Sequence, residues 1–421
     1  MTQPRQPRGT SGGGRFAAVN RSEAEIELGG NSWPGITYEE RAWNADPVPG
    51  ASRRQRLLAR GPYQAAVLEP IADLDPVLDT RTQAVVEQAT VDMVRFDRDL
   101  GAGTAPFASL LLRSESAASS QIEHLTAGSK KIALAQLGDT SSGNARLIVS
   151  NVAAMNAAVE LSEDLSVDSI TEMHRVLMAD SAPQIAGQIR DSQVWIRGNA
   201  PHAADFVPPH HERVPVALDD LARFVARDDL PAVTQAVIAH AQFETIHPFA
   251  DGNGRTGRAL VGALLRNKNI TEKITIPVSS GLLTNTQAYF DALTTYRQGN
   301  PQPIVELFAE SSFAAMANGR QLAEDLEAAR ADYTGRLAGY RSAAGRQVVE
   351  LLMSEPAVNA EMVRAHTGAS ESAVYRVIDQ LVESEVLAPA GKVRGAAVYI
   401  APQVIEALDA FAIRAGRRQR H

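Results

Sequence analysis

Apolar side chains recur at helical spacing on both sides of one short polar stretch. Ala232, Val233, Ala239, Phe243 and Ile246 mark a face before it, and Ala259, Leu260, Val261, Leu264 and Leu265 mark another after it. Residues 247–258 are therefore read as a loop between two helices. Further helical patterns begin around Val67 and run through 83–98, with Val85, Val86, Ala89 and Phe96 inward. Two more lie between 151 and 180, turning Val152, Met155, Val159 and Leu161, then Ile170, Met173 and Leu177, to a core that also takes His174. Residues 304–337 form a long amphipathic region whose Ala, Glu and Arg content predicts a surface for solvent or a homodimer. Strand-like alternation is confined to Val194-Trp195-Ile196-Arg197-Gly198, with 206–209 as the returning partner of an exposed β-hairpin. Between 32 and 52, Trp33, Tyr38, Trp43 and several prolines predict an irregular arm whose aromatics serve packing.

After residue 345 the pattern restarts as a separate unit. Val348, Val349, Leu351 and Leu352 mark one helix, Asn359 caps a second ending at Gly368, and Ser370 caps a third through Val374, Ile378 and Leu381. Residues 386–400 then supply two strands. This resembles a winged helix-turn-helix, which implies a nucleic-acid or protein partner. Counting from 346 to 421 gives nine Lys or Arg against nine Asp or Glu, and the third helix bears Glu371, Asp379, Glu383 and Glu385 near it. DNA binding therefore rests on the tail residues Arg414, Arg417, Arg418 and Arg420.

Composition narrows the classes. The chain has 421 residues, 44% hydrophobic, enough for two or three domains. It contains no cysteine, which excludes disulfides, thiolate zinc sites and a cysteine nucleophile and fits a reducing compartment. No apolar run reaches membrane-spanning length and the N-terminus lacks a signal-peptide hydrophobic region, so a cytoplasmic protein is the default. A net charge of −8 argues against broad non-specific nucleic-acid binding. The expected partition is a flexible Gly, Ser, Arg and Pro leader over 1–20, an arm and helices over 21–109, a catalytic region over 110–340, and the C-terminal unit with its basic tail over 345–421.

The chemistry concentrates in the loop at 247–258. A neutral imidazole at His247, with an ordinary pKa of about 6.5, can take a proton near pH 7. Asp251 is a hard oxygen ligand for Mg²⁺. The amides of a Gly-x-Gly turn opening a helix cradle an anion, and Arg255 and Arg258, three apart, present forked donors to phosphates. Gly252-x-Gly254-x-x-Gly257 has the spacing of a dinucleotide fingerprint, but no buried strand precedes it, and no Lys-Ser/Thr follows to make a Walker loop. A structural turn accounts for the glycines alone. His202, His210 and His211 crowd another loop, where solvated histidines are preferred to a metal site because no carboxylate completes a set.

His247-Pro248-Phe249-Ala250-Asp251-Gly252-Asn253-Gly254-Arg255-Thr256-Gly257-Arg258 resembles the Fic-domain signature at every specified position. The resemblance implies a mainly α fold, a Fic-type helical core with a small β-hairpin flap, which transfers AMP from ATP, with Mg²⁺, onto a hydroxyl side chain of a target protein. His247 would be the base and Asp251 the metal ligand. Gly252, Asn253 and Gly254 would form the phosphate cradle, Thr256 and Gly257 would continue the nucleotide-binding turn, and Arg255 and Arg258 would clamp the outer phosphates. Tyr289 and Arg297, on a helix over 287–296 and just past it, would border the adenine. Val194, Trp195, Ile196 and Arg197 would form the flap that holds the target by strand addition.

Residues 110–125 alone read as an amphipathic helix with a solvated glutamate. Beside the Fic signature they resemble the family's inhibitory helix, with Ser119 and Glu123 in the two side-chain positions. The resemblance implies that Glu123 pairs with Arg258 and withholds it from the γ-phosphate. His124 stands where the family has Gly or Asn. The reading is an autoinhibited protein adenylyltransferase; the alternatives are transfer of UMP or phosphocholine, de-AMPylation, or a nucleotide-sensing winged-helix transcriptional regulator.

Overall fold

The structure, a computed structural model, describes residues 33–44, 52–53, 60–101, 105–198, 200–339 and 343–416. Two strands, β1 (Thr37–Asn44) and β2 (Arg60–Val67), pair antiparallel with Thr37 opposite Val67. The irregular arm expected over 32–52 is thus a strand across 37–44, and the first described helix starts well after Val67. Its alternation is hidden because β1 turns Glu39 and Arg41 toward the protein with Trp43. Glu39 pairs with Arg41 at 2.9 Å and with Arg213 at 2.7 Å. Charged pairs replace the apolar side chains that a period-two search looks for.

The helices follow in chain order: α1 (Thr80–Gly101), α2 (Ala105–Ile122), α3 (Ser129–Gln136), α4 (Gly143–Glu160), α5 (Val167–Met178), α6 (Val214–Val225), α7 (Ala232–Ile246) and α8 (Asn253–Asn267). A short α9 (Val278–Leu282), then α10 (Thr286–Arg297) and the 35-residue α11 (Gln302–Arg336), close the core. Every residue of α7 from Val233 to Ile246 is buried, since α1, α6, α8, α10 and α11 all pack on it. A helix enclosed on all sides is a fixed platform, and it ends at His247. None of the described helices is long and apolar enough to cross a membrane.

Burial qualifies two sequence expectations. α11 is amphipathic as expected: it buries one face from Ile304 to Tyr333 and leaves Glu310, Gln321, Glu324, Glu327 and Asp332 exposed on the other. Its alanines and Gly319 admit close neighbours: a Cβ at Gly319 would lie 2.7 Å from Cζ of Phe96 on α1. Small side chains that look like surface composition are here a close-packed seam. α2 is no half-solvated amphipathic helix. Ser114, Glu115, Ser116, Ser119 and Ser120 are buried with Leu110 and Leu111. Ser116 donates to the Ile148 carbonyl, Asn151 donates to the Ser116 carbonyl, and Glu115 accepts from the Ser279 amide at 2.9 Å and from its hydroxyl.

The C-terminal unit runs α12 (Ala343–Leu352), β3 (Ala357–Asn359), α13 (Ala360–Thr367), α14 (Glu371–Glu383), β4 (Ala388–Val393), β5 (Ala396–Ile400) and α15 (Pro402–Arg414). Its sheet has the order β3-β5-β4, all antiparallel. The third strand, β3, goes beyond the two that the pattern predicts. Asn359 accepts from the Met362 amide and caps α13, which ends on the left-handed Gly368. α15 returns to the core, where Arg414 donates to Asn318 at 2.6 Å and faces Asp325 at 3.3 Å. Arg414 is thereby committed to α11 and is not the phosphate contact expected of it. The leader 1–20 and Arg417, Arg418 and Arg420 lie outside the described residues.

Burial raises the Glu115 carboxyl to about 7, against the Ser279 hydrogen bonds that lower it. The unfolded group titrates near 4.5, so the folded state holds its proton more tightly. The associated stabilisation is complete below that value and fades as pH rises through 7. Tm is expected to decline between about pH 5 and pH 8 by this linkage. Glu115→Gln, which cannot ionise, should remove part of that slope in thermal melts; parallel slopes in the two proteins would contradict the assignment.

Candidate active site

α7 stops because His247 takes a left-handed conformation, φ 51 and ψ 61, while its amide still reaches back to the Phe243 carbonyl at 2.9 Å. Glycine usually fills that position, so a histidine there is held by its surroundings. Side chains hold the loop after it at several points. The Asn253 side chain accepts from the Phe249 amide and donates to the Phe249 carbonyl, both at 2.9 Å. His174 stacks on Phe249 at 3.7 Å, accepts from the Gly187 amide at Nδ1, and lies 3.0 Å from the Asp251 carbonyl at Nε2. Acceptance at Nδ1 places the ring proton on Nε2, so His174 donates to Asp251. His174 is the core residue the pattern predicts, and its work is to fix the loop. Asn253 does the same: both faces of its amide are occupied, so it shapes the cradle rather than touching a phosphate.

Asp251, Gly252, Gly254 and Arg255 line an open cleft with His247, Glu123 and Trp195. The Asp251 side chain is 69% exposed and its Oδ1 accepts from the Gly252 amide at 2.7 Å. Gly252 is left-handed at φ 80 and opens α8, whose first amides face the cleft without side-chain caps. Arg255 is buried, yet its Nε and Nη1 have no hydrogen-bond partner. Orphan guanidinium donors beside a helix N-terminus are the complement of phosphate oxygens. The exposed Asp251 carboxylate next to them suits a hard divalent cation.

About a fifth of the His247 side chain is exposed. Burial first, then the charges of Arg297 and Arg190, hold its pKa down to about 4. The imidazole is therefore neutral at pH 7. A bound polyphosphate would pull the value upward by opposite charge.

Not all predicted residues reach the cleft. Thr256 and Gly257 turn inward, where a Cβ at Gly257 would meet Phe243, Glu244 and His240 at 2.9–3.1 Å; this glycine serves the contact of α8 with α7. Tyr289 is fully buried and bonds His240 Nε2 at 2.8 Å, behind the loop rather than in the opening. Arg297 is half-buried with its guanidinium 3.9 Å from the Phe206 ring. Burial lowers its pKa to about 10.

The expected flap hairpin is reduced to one β-bridge, Ile196 with Phe206. Val194 precedes the bridge, Trp195 donates to the Gly198 carbonyl at 3.3 Å, and Arg197 turns left-handed at φ 58 and pairs with Asp205. Two causes cut the ladder short: the left-handed Arg197 and Gly198 reverse the chain early, and Pro208 and Pro209 have no N–H to donate. Side chains take over, as Gln193 donates to Pro208 and Arg190 to Pro209. Trp195 packs on Trp43 at 5.4 Å, joining the flap to β1. His210 and His211 do meet a carboxylate, with His210 Nδ1 3.2 Å from Glu212, but Arg41 faces the same carboxylate at 3.5 Å and opposes a cation.

Arg258, buried under the cradle, is covered by α2. Its Nε donates to Ser119 Oγ and its Nη2 to the Ser119 carbonyl, both at 2.9 Å, and Nη2 also donates to Glu123 at 2.8 Å. The Glu123 carboxylate lies over Gly254, where a Cβ would stand 2.0 Å from it. Its pKa is lowered because Arg258 outweighs burial. His124 is left-handed at φ 62, a backbone conformation that glycine or asparagine adopts more readily.

Two residues escaped the sequence reading. Arg190 donates to the carbonyls of Ser192, Pro209, Ile246 and His247. Glu244, one turn before His247, is buried with Oε1 unpartnered and its carboxyl raised by burial to about 7. A lone Arg after Gly187 and a Glu inside an apolar helix give no pattern to read.

Residues 164–265 match the family model described as Fic/DOC family. The chain carries a Fic domain. Protein adenylyltransferase fic-1 of Caenorhabditis elegans is 29% identical over 154 residues, 37% of this chain and 28% of the worm protein. Protein adenylyltransferase Fic of Nematostella vectensis is 28% identical over 151 residues, 36% of this chain and 33% of that one. The chain thus spans about a third or less of these relatives. A solved Fic family protein from Desulfovibrio desulfuricans G20 aligns with a TM-score of 0.50 at 19% identity, over 79% of this chain and 98% of its own, so the likeness in fold extends beyond the Fic domain.

A left-handed histidine costs about 1–2 kcal/mol, partly offset in a glycine variant by greater freedom of the unfolded chain. His124→Gly is therefore expected to stabilise the protein by up to about 1 kcal/mol in denaturant titrations. A loss of stability would show that the His124 ring makes contacts that outweigh its backbone strain.

Proposed function

We propose that the chain is a protein adenylyltransferase that transfers AMP from ATP to a Ser, Thr or Tyr hydroxyl of a target protein. The observation that carries this reading is the convergence, in one cleft, of a neutral His247 and a helix N-terminus flanked by unsatisfied Arg255 donors. The names of the relatives support the group transferred.

The amides opening α8 hold the α- and β-phosphate oxygens, and Arg255 fills its free donors on the outer phosphates. The target hydroxyl approaches between the flap and His247, which takes its proton as the oxygen attacks the α-phosphorus. The new O–P bond forms as the bond to the β-phosphate oxygen breaks, and pyrophosphate leaves. Asp251 is the residue that would hold Mg²⁺, which when bound supplies positive charge for the departing pyrophosphate. Charge stabilisation and positioning account for most of the rate.

Glu123 restrains this chemistry. With Glu123 and Ser119 on its guanidinium, Arg258 is unavailable to the γ-phosphate, and ATP sits with its α-phosphorus out of line. The C-terminal unit has the element order of a winged helix-turn-helix. The exposed Glu371, Asp379 and Glu383 on α14 and the engaged Arg414 favour a protein over DNA as its partner.

Label from the α position of ATP should be retained on protein and label from the γ position should not; the reverse outcome would make the enzyme a kinase. Glu123→Gly should raise self-labelling at least tenfold, and Glu123→Gly/His247→Ala should return it to background with ATP binding retained. In the Glu123→Gly protein the acid limb of kcat/KM, which reports the free enzyme, should lie well below pH 6.5, because the rate falls only as His247 takes its proton. An acid limb at 6.5 or above would point to a base other than the buried imidazole.

A further inference from the structure

Arg190 is buried, and burial lowers its pKa to about 10, so it is charged at pH 7. Among the described residues no carboxylate pairs with it. Its charge is met by main-chain carbonyls alone: His247 at 2.8 Å from Nε, Ser192 at 3.0 Å from Nη1, and Pro209 at 2.5 Å and Ile246 at 3.4 Å from Nη2. Its own amide donates to the Pro248 carbonyl at 3.0 Å. A buried cation without a counter-charge is an expensive way to fill space, and an apolar side chain would do that better. What the planar fork supplies is fixed directions, three segments set by one rigid group.

Those segments are the ones a transfer reaction must align. Ile246 and His247 are the end of α7, where the base departs from helical geometry. Ser192 and Pro209 are the two stems of the flap, just outside the Ile196–Phe206 bridge. The prolines of the returning stem leave no ladder to bind the stems together; Gln193, donating to Pro208, and the guanidinium do so in its place, and of the two only the guanidinium also reaches the end of α7. It also holds the His247 carbonyl in the left-handed turn, which a histidine would otherwise leave.

We propose that Arg190 is the positioning residue that sets the flap and the His247 turn in one register, so that a segment seated on the flap presents its hydroxyl to the imidazole. This rests on the adenylyl-transfer reading above. Arg190 touches neither ATP nor target; it acts through the main chain of residues that do. Flap and base are therefore coupled mechanically rather than by a shared ligand.

The test uses the full chain with Glu123→Gly, and the same chain with Arg190→Lys or Arg190→Gln. Lysine keeps the charge but cannot span the four carbonyls. Self-labelling from α-labelled ATP should fall at least tenfold with lysine and further with glutamine, while ATP with Mg²⁺ binds within twofold of the parent. The three tryptophans supply the second readout. The indole N–H signal of Trp195, on the flap, and the imidazole signal of His247 should both shift. Trp33, packed on Phe224 and Tyr296 in the core, should not move. Labelling within twofold of the parent, or unmoved Trp195 and His247 signals in a folded variant, would overturn the proposal. So would loss of ATP binding with the Trp33 signal displaced, or failure of both variants to fold, either of which would make Arg190 a scaffold residue only. If the parent itself takes no label from the α position, adenylyl transfer fails as the function, and the Trp195 and His247 signals still decide the role of Arg190.

Discussion

Burying Arg258 under the first turn of α8 is the constraint from which the site follows. A guanidinium in that position needs acceptors, and α8 cannot supply them because its own carbonyls are spent in the helix. α2 supplies all three, two from Ser119 and one from Glu123. That requirement explains why α2 carries polar side chains on a buried face. It also explains why its last turn crosses the cleft rather than lying flat on the core. Glu115 and Ser119, each four residues apart from the next polar anchor, put three contacts on one side of the helix: Ser279, then Arg258 twice.

The junction of α7 and α8, in and behind the cleft, gathers polar atoms that the fold leaves unsatisfied. Nε and Nη1 of Arg255, Oγ1 of Thr256, Oε1 of Glu244 and Nδ1 of His247 are all buried without partners. Such atoms are uncommon in a folded chain, and each costs about 1–3 kcal/mol where nothing compensates. Their convergence on one helix junction separates this loop from a structural turn. The α7 platform bears the strain of the left-handed His247, and His174, Asn253 and Arg190 hold the carbonyl and amide groups that would relax it.

Legibility in the sequence followed the kind of signal each residue gives. The loop at 247–258 was readable because its chemistry is contiguous, and Ser119 and Glu123 became readable once that loop named their partner. The helices of the core were readable from apolar spacing, although α7 shows no polar face at all. β1 was not, because its inward positions are Glu39 and Arg41, which only the distant Arg213 makes sense of. The flap looked like a hairpin because Val194-Trp195-Ile196 alternates, whereas the prolines opposite cannot complete a ladder. The exposed face of α11 was readable from its Glu and Arg, whereas its seam of Ala and Gly becomes informative only when Phe96 is seen against Gly319. Tyr289 had a face that one sequence does not orient. Arg190 acts on main-chain carbonyls, which leave no trace in side-chain pattern.

On the proposed reading, the way α2 is held decides how its restraint of Arg258 would be lifted. Its first half is buried through Leu110 and Leu111 and tied to the C-terminal unit, with Arg113 paired to Glu355 at 2.6 Å and Ser109 donating to the Ser354 carbonyl. α3, the next helix, is tied to α15 through Ser129 and Asp409 at 2.7 Å. Sliding the whole of α2 away from Arg258 would break these contacts and empty part of the core. Unwinding the last turn breaks the bonds of Ser119 and Glu123, the Asn151–Ser120 bond at 3.2 Å and the burial of Ile122, but leaves the ties to the C-terminal unit in place, and the left-handed His124 already ends the helix there. Under that reading, release would be confined to about one turn, residues 119–124, while the body of α2 remains a fixed wall of the domain. The C-terminal unit leans on that wall through Arg113 and Ser109, so it steadies the base from which the turn would open.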